Sequence, residues 1–395
     1  MKKIFFAFAL FISLMNITHA QWTSLTSGTN EFLPSLSFPS VDTGYCISET
    51  GVIRKTVNGG VNWSSVTTLY SFRIHFNDNV TGFTYGGNEI FKTINGGTSW
   101  NSKLTLDPAK AIDALYFINA TTGYATSGDF TDSLLIFKTT DGGENWNLHS
   151  FDLVNVAYVN TLFFIDANTG FIGNWDGQIL KTTDGGLNWN TVHFTTSGGM
   201  LNEIIFTSTN NGFAISDTEF LKTIDGGDNW TESTPPFSAL YAGMAITPDG
   251  TIHVTGGNGI NTGTLIKSIN NGTNWTQTGT SVQSYYDVCF VNDSIGYTCG
   301  TNGSILKFGS STLNILENEN NFLSVYPNPV NAILKIENKS SNEIQSVRVF
   351  NSIGEQVVSN CYSIAEIDFS KSVNGIYFLE VKTENGIFRE KIIKQ

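Results

Sequence analysis

The sequence predicts an all-β protein with two parts, a long repetitive region and a smaller C-terminal β-domain. Three observations predict it. A motif that begins Lys-Thr, continues through Asn or Asp and glycine, and ends in tryptophan recurs about every forty residues. Short runs rich in Ile, Phe, Thr and Tyr, bounded by Gly, Asn and Asp, separate the copies, as is typical of strands joined by tight turns. No segment shows the period of an amphipathic helix.

The tryptophans of the motif give the length of the repeat. The motif tryptophans are Trp63, Trp100, Trp146, Trp189, Trp230 and Trp275, and together with the lone Trp22 they are spaced 37 to 46 residues apart. This period matches the blades of a β-propeller, each of which is a sheet of four short strands. An enzyme rarely needs several copies of an active site, whereas a repeated fold needs its turn in every repeat.

A second signature, glycine followed by an aromatic residue, opens one strand of each repeat. It occurs at Gly44-Tyr45, Gly82-Phe83, Gly123-Tyr124, Gly170-Phe171, Gly212-Phe213 and Gly296-Tyr297. The sixth repeat departs from it, with Thr251 where an aromatic residue is expected. The last repeat, 287–308, has no tryptophan motif after it, and Trp22 has no strands before it. We therefore expect a seven-bladed β-propeller over 21–309, with Trp22 on the outer strand of a seventh blade built from both chain ends, which leaves no open sheet edge.

The Asn or Asp of the motif is predicted to be structural. These positions are Asn58, Asn95, Asp141, Asp184, Asp225 and Asn270. An Asx side chain accepts backbone N–H groups within its own turn, and glycine supplies the positive φ that such a turn requires. Replacement of Asp by Asn fits a turn but not a general acid or a nucleophile.

The motif resembles the Asp box, also called the bacterial neuraminidase repeat. Thr182, Asp184, Gly186 and Trp189 match its pattern. The whole of 21–309 resembles propellers of the photosystem II assembly factor type, whose blades carry similar motifs. The resemblance implies the fold and leaves the function open, because propellers support many unrelated activities.

The two ends of the chain are predicted to direct export. Residues 1–20 have two lysines, an apolar run and a small-residue end, as in a secretory signal peptide. After a polar linker, 310–321, the segment 322–395 has alternating strands and lacks the tryptophan motif, which predicts a small β-sandwich. That segment resembles the type A C-terminal sorting domain of the type IX secretion system, through Tyr326-Pro327-Asn328-Pro329, Gly354, Gly375-Ile376-Tyr377 and the basic end 391–394. The resemblance implies handling by that machinery, passage through the periplasm of a Bacteroidota-like Gram-negative cell, and release or attachment at the cell surface.

The composition limits the classes of partner that the protein is expected to bind. The formal net charge is −13 and only 14% of the residues are charged, which argues against a nucleic acid. No stretch beyond the signal is long and apolar enough to span a bilayer. No metal, cofactor or catalytic motif is recognisable, and we expect a monomer. Cys289 and Cys299 flank a turn and are candidates either for a disulfide or for two small buried thiols.

Sialidases share the Asp box and are the first enzymes to test. Their chemistry needs three arginines to clamp the substrate carboxylate. Arg54 and Arg73 are the two arginines between 21 and 309, so sialidase activity is excluded. A glycosidase that uses two carboxylates stays open, since the separation of carboxylates cannot be derived from sequence.

The expected working face is the one opposite the Asp-box turns, where the turns between second and third strands and the connections between blades emerge. Candidate ligand-binding residues there are Trp175, Tyr158, Arg73, Tyr241 and Tyr285. Aromatic side chains with polar neighbours suit sugar rings or peptides. The favoured interpretation is a non-catalytic module that recognises a polysaccharide or a surface protein. The alternatives are a glycan-cleaving enzyme with a carboxylate pair on this face and a structural component of the cell surface.

Overall fold

The computed structural model describes residues 20–128, 133–154, 158–237, 239–258, 262–310, 323–338, 344–351, 356–358, 366–383 and 386–395. The chain divides into two compact units, with the boundary between Ser310 and Ser311. Almost all of the expected signal peptide and linker lie outside the described residues. In the part of the chain that the structure describes, no helix is long and apolar enough to cross a membrane.

The first unit is a ring of seven four-stranded antiparallel sheets, counted over the described residues. Blade one consists of β2 (Ser35–Ser37), β3 (Gly44–Ile47), β4 (Val52–Thr56) and β5 (Ser64–Thr68). Blade two consists of β6 (Arg73–Phe76), β7 (Gly82–Tyr85), β8 (Glu89–Thr93) and β9 (Asn101–Thr105). Blade three consists of β10 (Ala114–Phe117), β11 (Gly123–Ser127), β12 (Ser133–Thr139) and β13 (Asn147–Val154). Blade four consists of β14 (Val159–Phe164), β15 (Gly170–Asn174), β16 (Gln178–Thr182) and β17 (Asn190–Phe194). Blade five consists of β18 (Leu201–Phe206), β19 (Gly212–Ser216), β20 (Phe220–Thr223) and β21 (Thr231–Ser233).

Blade six is β22 (Leu240–Ile246), β23 (Ile252–Gly257), β24 (Gly263–Ser268) and β25 (Thr276–Ser281). Blade seven joins β26 (Tyr285–Asn292), β27 (Ile295–Gly300) and β28 (Ser304–Ser310) to β1 (Ala20–Thr26), and a 3₁₀ turn, Thr301–Gly303, precedes β28. Trp22 on β1 lies opposite Phe308 on β28, and β2 contacts β26. These contacts confirm the seven-bladed ring and its closure by both ends of the repeat region.

One aromatic stack, repeated across the boundaries between blades, explains the glycine-aromatic signature. Tyr45 on the second strand of blade one stacks on Phe76 of the next inner strand, with ring centroids 3.6 Å apart and planes 6° apart. A Cβ at Gly82, the glycine opposite Phe76, would lie 2.6 Å from that ring. Trp100 meets Phe76 edge-on, with centroids 5.9 Å apart. The glycine therefore makes room for the phenylalanine, and the tryptophan covers its edge.

The ring closes with the same stack. Tyr297 on the last blade stacks on Phe38 of the first at 3.5 Å, and Trp63 meets Phe38 edge-on at 5.9 Å. The Tyr297 hydroxyl also donates to the carbonyl oxygen of Gly59 in the first Asp-box turn, at 3.3 Å. Equivalent stacks use Phe83 on Phe117, Tyr124 on Phe164, and Phe171 on Phe206.

In the sixth blade, the prediction that Thr251 occupies the aromatic position of the glycine-aromatic signature was wrong. The glycine position of this blade is occupied by Ile252, which pairs with Ile246, so no phenylalanine needs the space. The aromatic position is held by His253 and not by Thr251, because His253 lies opposite Lys267 as Tyr124 lies opposite Lys138. His253 stacks on Phe290 of blade seven at 4.0 Å.

The Asp-box side chains are occupied by their own turns. The Thr182 hydroxyl donates to Oδ1 of Asp184 at 2.8 Å and accepts the N–H of Gly186 at 3.0 Å. Oδ1 of Asp184 also accepts the backbone N–H of Asn188 at 2.9 Å. The side-chain and backbone N–H groups of Asn188 are the main reason that the pKa of Asp184 falls to about 2. Asn58 accepts the equivalent bonds from Thr56 and from the N–H of Asn62, at 3.0 and 2.9 Å.

The second unit consists of a three-stranded and a four-stranded sheet, counted over the described residues. The three-stranded sheet contains β29 (Leu323–Tyr326), β30 (Ile333–Asn338) and β33 (Glu366–Asp368). The four-stranded sheet contains β31 (Ile344–Asn351), β32 (Gln356–Val358), β34 (Gly375–Thr383) and β35 (Gly386–Lys394). Both sheets contribute to one apolar core that includes Leu334, Val349 and Leu379. Asn328 fixes the last strand, since it donates to the carbonyl oxygen of Lys391 at 2.7 Å and accepts the N–H of Ile393 at 2.9 Å. A small β-domain is therefore confirmed.

Substitution of Asp184 tests the role of the turn. The Asp184 carboxylate accepts four hydrogen bonds, one from the Thr182 hydroxyl, one from the N–H of Leu187, and two from the backbone and side chain of Asn188. Asp184→Ala removes these acceptors and is expected to lower Tm by about 2–4 °C, as for a loss of about 1 kcal/mol. Asp184→Asn keeps the Oδ1 acceptor, as Asn58 does, and is expected to lower Tm by less than half as much. Differential scanning calorimetry measures both, and equal losses in the two variants would contradict the role of Oδ1.

His253 predicts an acid-sensitive boundary between blades six and seven. The side chain is 3% exposed, and burial, with the nearby Lys267 charge, lowers its pKa to about 4, while Asp249 opposes the shift. The unfolded chain binds more protons between about pH 6.5 and pH 4, so this residue costs stability as the pH falls through that window. His253→Phe is expected to gain about 3 kcal/mol relative to wild type between pH 7 and 4. Urea unfolding over that pH range measures the gap, and a gap independent of pH would contradict the prediction.

Candidate functional site

The candidate site is the mouth of the central channel, on the face opposite the Asp-box turns. The channel holds a cavity of about 720 Å³ whose lining comes from the first strands of all seven blades. We call this surface the channel face and define it by Trp175, Arg73, Asn202, Asp217 and Tyr286, all of which line the cavity.

Backbone bulges direct side chains into the channel from four consecutive blades. The inner strands β14, β18, β22 and β26 each have one extra residue near the channel face, where the pairing register shifts. The extra residues are Asn160, Asn202, Ala242 and Tyr286, and all four line the cavity. A bulge re-aims a side chain and is common beside functional sites. Blades four to seven therefore form a distinct side of the channel.

Hydrogen bonds connect two of the four bulged residues, Asn160 and Asn202, to Asp217 and the backbone of Tyr241 in a chain along the channel wall. Nδ2 of Asn160 donates to Oδ1 of Asn202 at 2.7 Å. Nδ2 of Asn202 in turn donates to Oδ1 of Asp217 at 3.1 Å and to the carbonyl oxygen of Tyr241 at 2.8 Å. This chain spans three blades and orients the amide groups toward one another.

Three of the five residues predicted from sequence meet at the rim. Trp175 is 52% exposed, and its ring lies 4.9 Å from the ring of Tyr158 between centroids. Its backbone N–H donates to the carbonyl oxygen of Tyr158 at 3.0 Å, which fixes the turn that presents the indole. Arg73, Tyr158 and Trp175 line one small cavity of about 150 Å³ together with Asp113. Burial raises the pKa of Asp113 to about 7, although its carboxylate accepts the N–H of Gly128 at 2.6 Å.

The other two predicted residues, Tyr241 and Tyr285, line the channel cavity but are buried. Tyr241 is 2% exposed and Tyr285 is 1% exposed, so neither ring is presented at the rim as the ring of Trp175 is. The hydroxyl of Tyr241 donates to the carbonyl oxygen of Phe237 at 2.6 Å, and its ring belongs to the core between blades five and six. Tyr286, the next residue in the chain after Tyr285, is the one that the bulge turns outward.

The candidate disulfide is not formed. Cys289 and Cys299 are both free thiols, as is Cys46. Cys289 pairs across the sheet with Tyr297, and Cys299 pairs with Asp287, so the two cysteines are two positions out of register. Burial raises the pKa of the Cys289 thiol, consistent with a packed residue.

Two partly buried carboxyls inside the channel, those of Glu203 and Asp287, were not predicted from sequence. Burial and the neighbouring Asp287 charge raise the pKa of Glu203 to about 8, while Arg73 opposes the shift. Burial also raises the pKa of Asp287, although it accepts the N–H of Leu36 at 2.9 Å and the hydroxyl of Ser35 at 3.0 Å. Asp287 thereby connects the last blade to the first. These residues are far apart in the chain, and no local motif marks them.

The Arg73 side chain interacts with the backbone and with the two carboxyls of the channel. Its Nη1 donates to the carbonyl oxygen of Pro34 at 3.2 Å, and its charge acts on both Asp287 and Glu203. Among the described residues, no group of three or more His, Cys, Asp or Glu side chains is placed to hold a metal ion.

Comparison with known families identifies the second unit. Residues 324–395 match the model of the secretion system C-terminal sorting domain. The C-terminal unit is a secretion-system sorting domain. The sorting domain indicates that the protein is secreted or attached to the cell surface through the type IX machinery. A search of curated proteins by sequence finds no match to this chain.

Solved structures resemble the propeller. The structure described as YCF48 bound to D1 peptide has a TM-score of 0.61 and 20% identity over 74% of this chain and 98% of that one. YCF48 from Cyanidioschyzon merolae gives 0.59 and 15%, over 73% and 99%. Virginiamycin B lyase from Staphylococcus aureus gives 0.59 and 12%, over 74% and 99%. At these identities the likeness shows the propeller fold alone.

Glu203 predicts a pH dependence of opposite sign to that of His253. Its folded pKa of about 8 lies above its ordinary value of 4.5, so the folded protein binds more protons between those values and loses stability as the pH rises through them. Glu203→Gln removes the titration. We expect the stability of this variant relative to wild type to increase from pH 5 to pH 8 in urea unfolding. A difference that stays constant or decreases would contradict a protonated Glu203.

Proposed function

We propose that this protein is an exported, non-catalytic binding module that recognises a polysaccharide or a surface protein through the channel face. The observation that carries the proposal is the half-exposed Trp175, packed against Tyr158 at the rim of a polar channel. Exposed aromatic rings are costly to keep in water and are typical of binding surfaces. We further propose that export begins with the segment 1–20 and follows the Bacteroidota type IX route.

The rim has the chemical mixture that a recognition site needs. Leu240 and Tyr286 are also exposed on it, the second packed edge-on against Phe32 with centroids 4.6 Å apart. The polar chain from Asn160 to Asp217 lies inside this apolar rim. Apolar surface supplies affinity and the few fixed polar groups supply orientation. YCF48, a propeller of the same fold, has been solved with a bound D1 peptide.

One observation favours a second candidate, a glycan-cleaving enzyme. Glu203 has a pKa of about 8, so it holds a proton at neutral pH as a general acid must, and Asp217 and Asp287 line the same cavity. Against it, Asp287 is already bound by Ser35 and Leu36. Recognition without turnover is therefore the leading proposal.

Binding of the full chain to glycan arrays and to surface-protein extracts tests the proposal. Trp175→Ala is expected to weaken binding by at least about tenfold, since an aromatic anchor contributes more than about 1.4 kcal/mol. Ile224→Ala is the matched control, because Ile224 is exposed in an Asp-box turn on the opposite face. Equal binding by Trp175→Ala and wild type would reject this face. Release of reducing ends by wild type but not by Glu203→Gln would instead support the enzyme.

A further inference from the structure

The bulged side of the channel has more hydrogen-bond acceptors than donors left for a ligand. Both N–H groups of the Asn202 amide are used, one by Asp217 and one by the Tyr241 carbonyl oxygen. One N–H group of Asn160 is used by Asn202. The second oxygen of Asp217 and the side-chain oxygen of Asn160 receive no hydrogen bond within the described residues. A ligand that completes this wall must therefore donate hydrogen bonds.

The charges of the channel favour a cation. Among the described residues that line the larger cavity, Glu203, Asp217 and Asp287 are acidic, and Arg73 is the single Lys or Arg. Arg73 already donates to Pro34 and lies close enough to Asp287 and Glu203 to affect both. A bound anion would be repelled by the Asp217 carboxylate, and no Lys or Arg side chain of the described lining is left to compensate. A bound cation would be attracted by the Asp217 oxygen that receives no hydrogen bond.

The aromatic side chain at the rim, Trp175, also favours a cationic ligand. The ring face of tryptophan attracts a cation within about 6 Å, more strongly than other side chains do. Trp175 is half-exposed and stands at the opening of the cavity that Asn202 and Asp217 line. A long side chain that passes over the indole can place its charged end beside those acceptors and its methylene groups on the ring.

We propose that the channel face binds a lysine or arginine side chain of a polypeptide, with its charged end held by Asn160, Asp217 and Glu203 and its stem on Trp175. This inference rests on the proposed binding function and names its ligand class. Exposed Leu240 and Tyr286 on the same rim favour a polypeptide over a polymer of amino sugars, because apolar side chains that flank the basic residue cover them.

The protonation of Glu203 gives the interaction a specific signature. The pKa of Glu203, about 8, favours the protonated carboxyl at neutral pH in the free protein; the Asp287 charge raises this pKa and the Arg73 charge lowers it. Among the described residues that line the cavity, Asp217 and His75 are the other acidic or basic side chains. A cation placed beside Glu203 favours the ionised form, so the complex releases a proton. The binding enthalpy then depends on the ionisation enthalpy of the buffer, and affinity increases as the pH rises toward 8.

The test is isothermal titration calorimetry of the full chain with three short peptides that differ at one position. Arginine, glutamine or glutamate is flanked by leucine and glycine, and a chitosan oligomer is the fourth probe. The arginine peptide is expected to bind at least about tenfold more tightly than the glutamine peptide and to release a proton. Asp217→Asn and Glu203→Gln are each expected to weaken it about tenfold. Asp228→Asn, which changes an exposed carboxylate in an Asp-box turn, is expected to leave it unchanged.

Several outcomes would overturn the inference. They are equal affinity for the three peptides, insensitivity to both channel substitutions, and binding of chitosan alone. The amide oxygen that Asp217→Asn introduces can still accept the Asn202 N–H, and Glu203→Gln is an independent variant should the first fail to fold. A neutral ligand whose binding is lost in Trp175→Ala would leave the proposed function intact and reject only the cationic ligand.

Discussion

The propeller depends on the stacking of an aromatic ring of one blade on a phenylalanine of the next, which occurs at every boundary between described blades except that between blades five and six. Centroid distances of 3.5–4.6 Å recur at the regular boundaries, and the rings are nearly parallel at the tightest of them. The stack requires a glycine under the phenylalanine and a tryptophan at its edge. Those two requirements, together with the turn that positions the tryptophan, account for most of the repeated sequence. Keeping the spacing of the blades constant in this way fixes the inner strands around the channel.

The sixth blade shows what happens when one partner changes. Ile246 replaces the phenylalanine, Ile252 then replaces the glycine, and Phe220 from blade five packs against the sixth Asp-box turn and Trp275 instead. His253 keeps the stack toward blade seven at 4.0 Å. The ring therefore tolerates an altered boundary because the substitutions compensate one another. The cost is a buried imidazole whose Nδ1 has no partner in the described structure.

The fold was predictable because its physical requirements are local and repeated. Tryptophan spacing indicated the blade count, and the unpaired Trp22 indicated the closure. The site was predictable only in part. Trp175, Tyr158 and Arg73 were chosen as candidates because they break the repeat pattern or stand at connections, and the structure brings them together at the rim.

The remaining site residues depend on features that sequence does not display. Glu203 and Asp287 were missed because three-dimensional closure, not spacing, brings them together. Asn160 and Asn202 were missed because a bulge has no sequence signature. The burial of Tyr241 and Tyr285 beside their bulges could not be predicted, because one register shift exchanges inward and outward positions.

The channel face combines a rigid ring, an acceptor-rich wall and an exposed indole on a protein that carries a sorting domain, and binding at this face is the central claim. Hydrogen–deuterium exchange with and without the arginine peptide tests it most directly. The account predicts slower exchange in 158–160, 174–177, 200–203 and 240–242, with the Asp-box turns unchanged. Slower exchange in the Asp-box turns alone, with the channel face unchanged, would contradict it.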